Sequence, residues 1–202
     1  NQEFIKFCKE LSKINLEAKG EIKKINESRM ENKSSVKDNL VNLISKIGEK
    51  ITIRRSNFLN GADGKNYHYV HSAVEKNIGK IAAIVKLKNT VEGKNSDIGL
   101  KLAMHIAATN PLAINKEGIK KEVLNKELEI IKEELLNSGK NKDIVEKISA
   151  GKINKFINDN TLLNQIWIMD TKKKVSDILK ENKVDKEVKI IDFVRYKVGE
   201  GV

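Results

Sequence analysis

The sequence predicts an α+β fold carrying an inserted helical hairpin, and three observations support this. Short runs rich in β-branched and aromatic residues, separated by Gly-containing turns, occupy the region from Ile51 to Leu87 and recur after Gln165. Between them lies a long stretch of helix-period apolar residues with a single Ser-Gly break. Aromatic residues make up only 4% of the 202 residues, so a core must be built from Ile, Leu, Val and Ala, which suits helix-rich packing.

Asn1 is placed to cap a first helix whose apolar face is Phe4, Phe7, Cys8 and Leu11, the i, i+3, i+4, i+7 spacing. Cys8 lies on that face and reads as a small buried hydrophobe rather than a nucleophile. After a polar stretch at 27–34, Ser35 followed by Asp38 signals the start of a second helix with Val36, Leu40, Leu43, Ile44 and Ile47 inward, and Gly48 ends it. Ile51, Ile53 and Phe58-Leu59 read as a strand, residues 60–66 as a Gly-containing turn, and 67–73 as a second strand. Residues 78–87 read as a third, buried through Ile81, Ala83 and Val85, so that three neighbouring strands form a small antiparallel sheet. Ser96 and Asp97 open a helix with Leu102, Met104, His105 and Ile106, which Pro111 forbids from continuing past about residue 110.

Residues 115–158 are the most regular part of the chain. Leu124, Leu128, Ile131 and Leu135 step by four, three and four, and after Ser138-Gly139 the pattern resumes with Ile144, Val145, Ile148 and Phe156. This predicts an antiparallel hairpin whose arms, at about 20 residues and 1.5 Å each, reach roughly 30 Å and are long enough to project from a compact domain. A strand at 166–169, a helix at 172–181 with Val175, Ile178 and Leu179 inward, and a last strand at 188–198 follow.

Composition narrows the function. One cysteine excludes an intrachain disulfide and a cysteine-based zinc cluster, and points to a reducing compartment. No apolar run approaches 18 residues, and nothing near Asn1 reads as a signal peptide. These features predict a cytoplasmic protein with no membrane partner. The first residue is not Met, so the true amino terminus, with any organellar targeting segment, is expected upstream. The net charge of +11 raises nucleic acid as a partner, but the lysines are spread over almost every segment without aromatic interleaving. That distribution argues for a solvated surface and against direct nucleic-acid binding. A basic helical protein binding RNA or the ribosome is kept as the alternative function.

No covalent chemistry has a sequence handle. His68 and His71, three apart on a predicted strand, lie on opposite faces and do not share a metal. There is no H-E-x-x-H, EF-hand, nucleophile elbow, Walker loop or dinucleotide fingerprint, and hence no expected metal, cofactor or catalytic residue. Gly199-Glu200-Gly201 follows a strand with no predicted helix after it, so it lacks the helix amino terminus a phosphate loop needs.

Four motifs in order carry a resemblance. They are Ile47-Gly48-Glu49-Lys50-Ile51 with Arg54-Arg55; Tyr69-Val70-His71; Met104-His105-Ile106-Ala107-Ala108 with Pro111; and Phe193-Val194-Arg195-Tyr196-Lys197-Val198-Gly199-Glu200-Gly201. With the helical hairpin between the third and fourth, the chain resembles the translation elongation factor Ts family over essentially its whole length. The resemblance implies two small subdomains of antiparallel sheet with packed helices and a protruding coiled coil. Residues 1–60 would be the remainder of the amino-proximal subdomain and 61–202 the carboxy-proximal one, with the hairpin inserted at about 115–158. It further implies a guanine-nucleotide exchange factor that binds elongation factor Tu, GDP-bound and nucleotide-free, and promotes GDP release. Ile47, Gly48 and His71 are then the expected partner-binding residues, with Met104 and His105 as further members.

The chain departs from the family pattern in several places. The family's amino-terminal helical module and its threonine-aspartate-phenylalanine-valine motif are not in the sequence. That motif would stand almost immediately before Asn1, so the chain reads as a fragment beginning just after it. Ser72 stands where many members have glycine, the turn at 71–78 is longer than in the shortest relatives, Ile166 replaces a common proline, and the charge of +11 contrasts with acidic members.

Overall fold

The computed structural model describes residues 1–95 and 97–201. It is a mixture of helices and antiparallel sheet divided into two units, Asn1–Ala62 with Val70–Ala82 and the residues from Lys197 onward, and Asp63–Tyr69 with Ala83–Tyr196.

The first unit is built on three helices, α1 (Gln2–Glu17), α2 (Ile22–Glu27) and α3 (Val36–Ile47). Asn1 Oδ1 accepts from the Glu3 and Phe4 amides at 2.9 and 3.3 Å, which satisfies two of the donors a helix start leaves open. The inward stripe of α1 is Phe7, Ile14 and Ala18, flanked by Phe4 and Leu11. Cys8 is half-buried beside it, and burial pushes its thiol pKa up, away from the reactive thiolate. Ile25, Met30, Val36 and Leu43 complete this core. Full burial of Ile25 and Val36 is worth about 1.5–3 kcal/mol each. The α2 helix lies in sequence just before the polar stretch, and a single inward residue, Ile25, anchors it.

The expected strand at 51–59 is not formed: residues 51–60 have no regular structure. Ile51 and Ile53 do turn inward, but onto the helical core, and the segment is held by side chains instead of a strand ladder. Asn15 Nδ2 donates to the Asn57 carbonyl at 3.1 Å, and the Ser56 hydroxyl donates to the Gly20 carbonyl. The three-stranded sheet instead has the order β1 (Lys65–Glu75), β2 (Ile78–Lys88), β5 (Lys189–Lys197), so its third member is the carboxy-proximal strand. β1 runs on to Glu75, which leaves only Lys76 and Asn77 for the turn that the sequence places across 71–78.

In the second unit, β2 buries Ala83, Val85 and Leu87 fully, with Lys86 buried between the last two, while Ile81 is half-buried. α4 (Asp97–Thr109) buries Ile98, Leu102, Ala103, His105, Ile106 and Ala107. Ser96, expected to open it, lies outside the described residues. α5 (Lys121–Asn137) and α6 (Lys142–Asn160) form the helical hairpin, joined by four residues with Gly139 at φ 79°. They pack through Ile131, Leu135 and Val145, with Lys132–Glu146 and Lys152–Glu134 ion pairs at 2.6 and 3.3 Å. Ile144, expected inward, is 45% exposed because it is the third residue of α6 and stands beside the turn. A bridge between Ala113 and Thr161, with Leu162 N donating to Ala113 O at 2.9 Å, ties the two ends of the hairpin together.

Downstream, β3 (Ile166–Trp167) pairs antiparallel with β4 (Asp170–Lys174). The expected helix at 172–181 therefore starts later, as α7 (Val175–Glu181). Residues 172–174 belong to a polar strand, and the Asp177 carboxylate accepts from the Lys174 amide at 3.1 Å where the helix begins.

Candidate functional site

Ile47 and Gly48 sit where α3 stops. Ser35 starts this helix by accepting from the Asp38 amide at 3.0 Å, which sets the register that brings Val36, Leu43 and Ile47 to one face. Gly48 adopts φ 79°, the left-handed conformation that only glycine takes without cost, and its amide donates to Ile44 O at 2.8 Å. Ile47 is half-buried against the core and Gly48 is exposed, with no atom within 4 Å of where a Cβ would stand. This leaves an apolar edge next to bare backbone that another surface can approach closely.

His71 is exposed on β1, in the same unit. The next residue, Ser72, has φ 51° inside the strand, a conformation that costs a non-glycine residue about 1–2 kcal/mol. Across the hairpin, a Cβ on Gly79 would lie 2.5 Å from Val70 Cγ1 and 2.7 Å from the His71 carbonyl oxygen, so the His71 backbone is pressed onto glycine. Because Ser72 occupies a glycine-like conformation, Ser72→Gly is expected to raise stability by about 0.5–1 kcal/mol, the relieved strain exceeding the added unfolded-state entropy. Urea denaturation would read this as a higher midpoint at an unchanged slope.

Two motifs that are far apart in sequence meet in this unit. Arg54 donates to the Glu200 carbonyl, and Arg55 donates to the Lys197 carbonyl and pairs with the Glu200 carboxylate, both at 3.4 Å. Gly199 and Gly201, at φ 76° and 72°, shape the turn that presents those acceptors. Gly199-Glu200-Gly201 is thus a docking turn for two arginines. No spacing in the sequence announces a contact over about 145 positions.

Met104 and His105 lie on α4 in the other unit. Met104 is half-buried, while His105 is fully buried and its ring stacks on Trp167 with centroids 5.1 Å apart and planes 19° apart. The Ile168 amide points at Nδ1 from 3.4 Å, so the ring carries its proton on Nε2 and donates to Gln165 Oε1 at 3.1 Å. Gln165 is itself fixed, its Nε2 donating to the Asp159 carbonyl at 2.8 Å, with the Thr109 hydroxyl 2.9 Å from its Oε1. Burial lowers the His105 pKa from 6.5, partly opposed by the Gln165 hydrogen bond, so the ring is neutral in a neutral solution. Gln165, Trp167 and Thr109 were not legible as its partners. A Gln beside a short apolar run carries no signal of its own.

Among the described residues, no group of three or more His, Cys, Asp or Glu could hold a metal ion. No helix among them is long and apolar enough to cross a membrane.

With this geometry in place, comparison with known proteins decides the family. Residues 1–200 match the family model for elongation factor TS. The chain belongs to the elongation factor Ts family. It is similar to the protein named Elongation factor Ts from Methylobacterium nodulans, at 37% identity over 206 residues covering 100% of this chain and 66% of that protein. The corresponding proteins of Clostridium kluyveri and Rickettsia felis are 34% and 31% identical, again over 100% of this chain and 66% of their own length. The chain thus spans 66% of the length of these relatives. The family membership anticipated from the four ordered motifs is established. Of the residues singled out for the family's partner surface, Ile47, Gly48 and His71 fall in one unit and Met104 and His105 in the other.

Proposed function

We propose that this chain is the partner-binding core of a guanine-nucleotide exchange factor, which binds elongation factor Tu in its GDP-bound and nucleotide-free forms and promotes GDP release. The observation that carries the reading is membership of the elongation factor Ts family over residues 1–200. An exchange factor of this kind needs no reactive residue. It binds the nucleotide-free GTPase more tightly than the GDP-bound form, and linkage then requires that it weaken GDP by the same factor. Catalysis of a covalent step has no part in this, and the setting proposed is the cytoplasm.

Ile47 supplies the apolar contact, Gly48 the close backbone approach and His71 a hydrogen bond. Met104 belongs to the contact set through its partly open side chain. His105 belongs to it through the β3–β4 turn, whose Ile168 amide its ring engages. The two-subdomain reading, residues 1–60 and 61–202, and a projecting coiled coil formed by the α5–α6 hairpin are part of the same proposal.

The test is release of fluorescently labelled GDP from elongation factor Tu, driven by the chain extended at its amino terminus. Ile47→Ala combined with His71→Ala is expected to slow release by about 10- to 100-fold, as loss of two interface hot spots would. Unchanged release would remove these residues from the site, and no nucleotide-dependent complex at all would sink the exchange reading. The charge of +11 favours one rival, a basic protein binding RNA or the ribosome. That rival predicts binding that collapses with added salt and ignores the nucleotide state.

A further inference from the structure

We infer that Gly79 is a positioning residue for the site at His71: its bare backbone is the seat on which a kink in β1 rests, and that kink sets where the histidine stands. The inference rests on the reading of His71 as a contact for elongation factor Tu, and it adds a residue that acts through His71 rather than on the partner.

The backbone of Gly79 does not call for glycine. Unlike Gly48, Gly199 and Gly201, it lies outside the left-handed region. The space around it is what excludes a side chain. A Cβ there would stand 2.5 Å from Val70 Cγ1, 2.7 Å from the His71 carbonyl oxygen and 3.1 Å from the Ser72 carbonyl oxygen. All three lie inside the roughly 3.5 Å at which non-bonded heavy atoms rest. Val70 Cγ1 ends a side chain that can rotate, but the two oxygens belong to the main chain and move only if the strand moves.

Those oxygens also report the path of the strand. Along a regular strand consecutive residues reverse direction, so consecutive carbonyls point to opposite edges. Here two consecutive carbonyls crowd one carbon position, and Ser72, which joins their peptide groups, has φ 51°. A left-handed residue turns successive carbonyls to the same side, and so bends the strand and re-aims the neighbouring side chain, as a bulge does. Val70 is half-buried and His71 exposed, and all of these residues lie in the first unit. Ser72 thus bends the chain just after His71, and Gly79 gives the bent carbonyls room. Alanine at 79 pushes the His71–Ser72 peptide away and carries the imidazole with it.

The test reads His71 directly. The histidines are His68, His71 and His105, so a carbon–proton correlation spectrum of the imidazoles holds three assignable signals. Gly79→Ala is expected to shift the His71 signal and leave that of His105 in place. Release of labelled GDP from elongation factor Tu by the amino-terminally extended chain should slow by about tenfold, and in a His71→Ala background Gly79→Ala should add little further. Ser72→Val supplies a second variant should Gly79→Ala fail to fold. Ser72 is exposed, so the added bulk meets no core, and a β-branched residue resists the left-handed conformation, which straightens the kink from its other side. It should move the same signal. A His71 signal unmoved by either variant overturns the inference, as does Gly79→Ala slowing release equally with and without His71. Release that ignores His71→Ala would instead sink the reading beneath it, and the His71 signal then decides alone whether Gly79 is the seat.

Discussion

Gly99→Ala is expected to destabilise the second unit by about 2–3 kcal/mol, or more if the helix cannot shift, because its Cβ would enter an aromatic ring. That carbon would lie 2.1 Å from Tyr67 Cγ, 2.3 Å from Cδ1 and 2.4 Å from Cδ2. These are the inner atoms of a rigid ring, not the end of a flexible chain, so relief requires either the first turn of α4 or β1 to move. The Tyr67 hydroxyl is buried with no hydrogen-bond partner, so a rotation that displaces the ring has no polar contact to lose and none to guide it. In a chain of this size the loss corresponds to a melting midpoint lower by roughly 4–12 °C. A double-mutant cycle identifies the cause. In a Tyr67→Leu background the cost of Gly99→Ala should fall by at least half, whereas equal costs in both backgrounds would place it in helix propensity or elsewhere.

The second large effect is expected at His105. His105→Ala removes a buried ring stacked on Trp167 and leaves Gln165 Oε1 and the Ile168 amide short of a partner. Aromatic contact and unsatisfied polar groups together predict a loss of about 2–4 kcal/mol at neutral pH. The pH dependence carries a sign that a merely steric role would not. Burial holds the folded pKa of His105 below 6.5, the value of a free histidine. Above 6.5 the ring is neutral in both states and its contribution to stability is complete. As pH falls below 6.5 the unfolded chain takes up a proton that the folded chain refuses, so stability declines until the pH reaches the folded value. The gap in unfolding free energy between the unaltered protein and His105→Ala should therefore narrow as pH drops from 7 toward 5. A gap that stays constant over that range would show that the ring titrates alike in both states.

Where the chain writes its structure into local chemistry, the elements could be read directly. Asn1 and Ser35 are side-chain caps that accept from amides two or three positions on, and Gly48 stops α3 by the left-handed turn its lack of a Cβ allows. The two arms of the hairpin follow from apolar spacing around Ser138-Gly139. Misreadings came where one signal has two physical causes. Ile51 and Ile53 alternate because they face a core, and alternation records burial without saying whether the backbone pairs. Residues 170–174, Asp-Thr-Lys-Lys-Lys, form a strand with no apolar side to betray it, since its hydrogen bonds come from β3 and not from its own sequence. For the candidate site, Ile47, Gly48 and His71 were named by the resemblance to the family, since a helix end and an exposed strand histidine carry no functional signal of their own. The burial of His105 and the strain at Ser72 depend on groups distant in sequence, and no window of residues contains them.

The clasp between Arg54, Arg55 and Glu200 has a consequence for synthesis of the chain. The first unit draws on residues 1–62, 70–82 and the stretch beginning at Lys197, so the acceptors for its two arginines are made about 145 residues after the arginines themselves. A ribosome adding about 5–20 residues each second needs on the order of ten seconds or more to travel from Arg55 to Glu200. Throughout that interval the first unit can hold its helical core, while the Lys197 and Glu200 groups that Arg54 and Arg55 engage have yet to be made. The unit that carries the two arginines is thus closed by residues added long after its helical core.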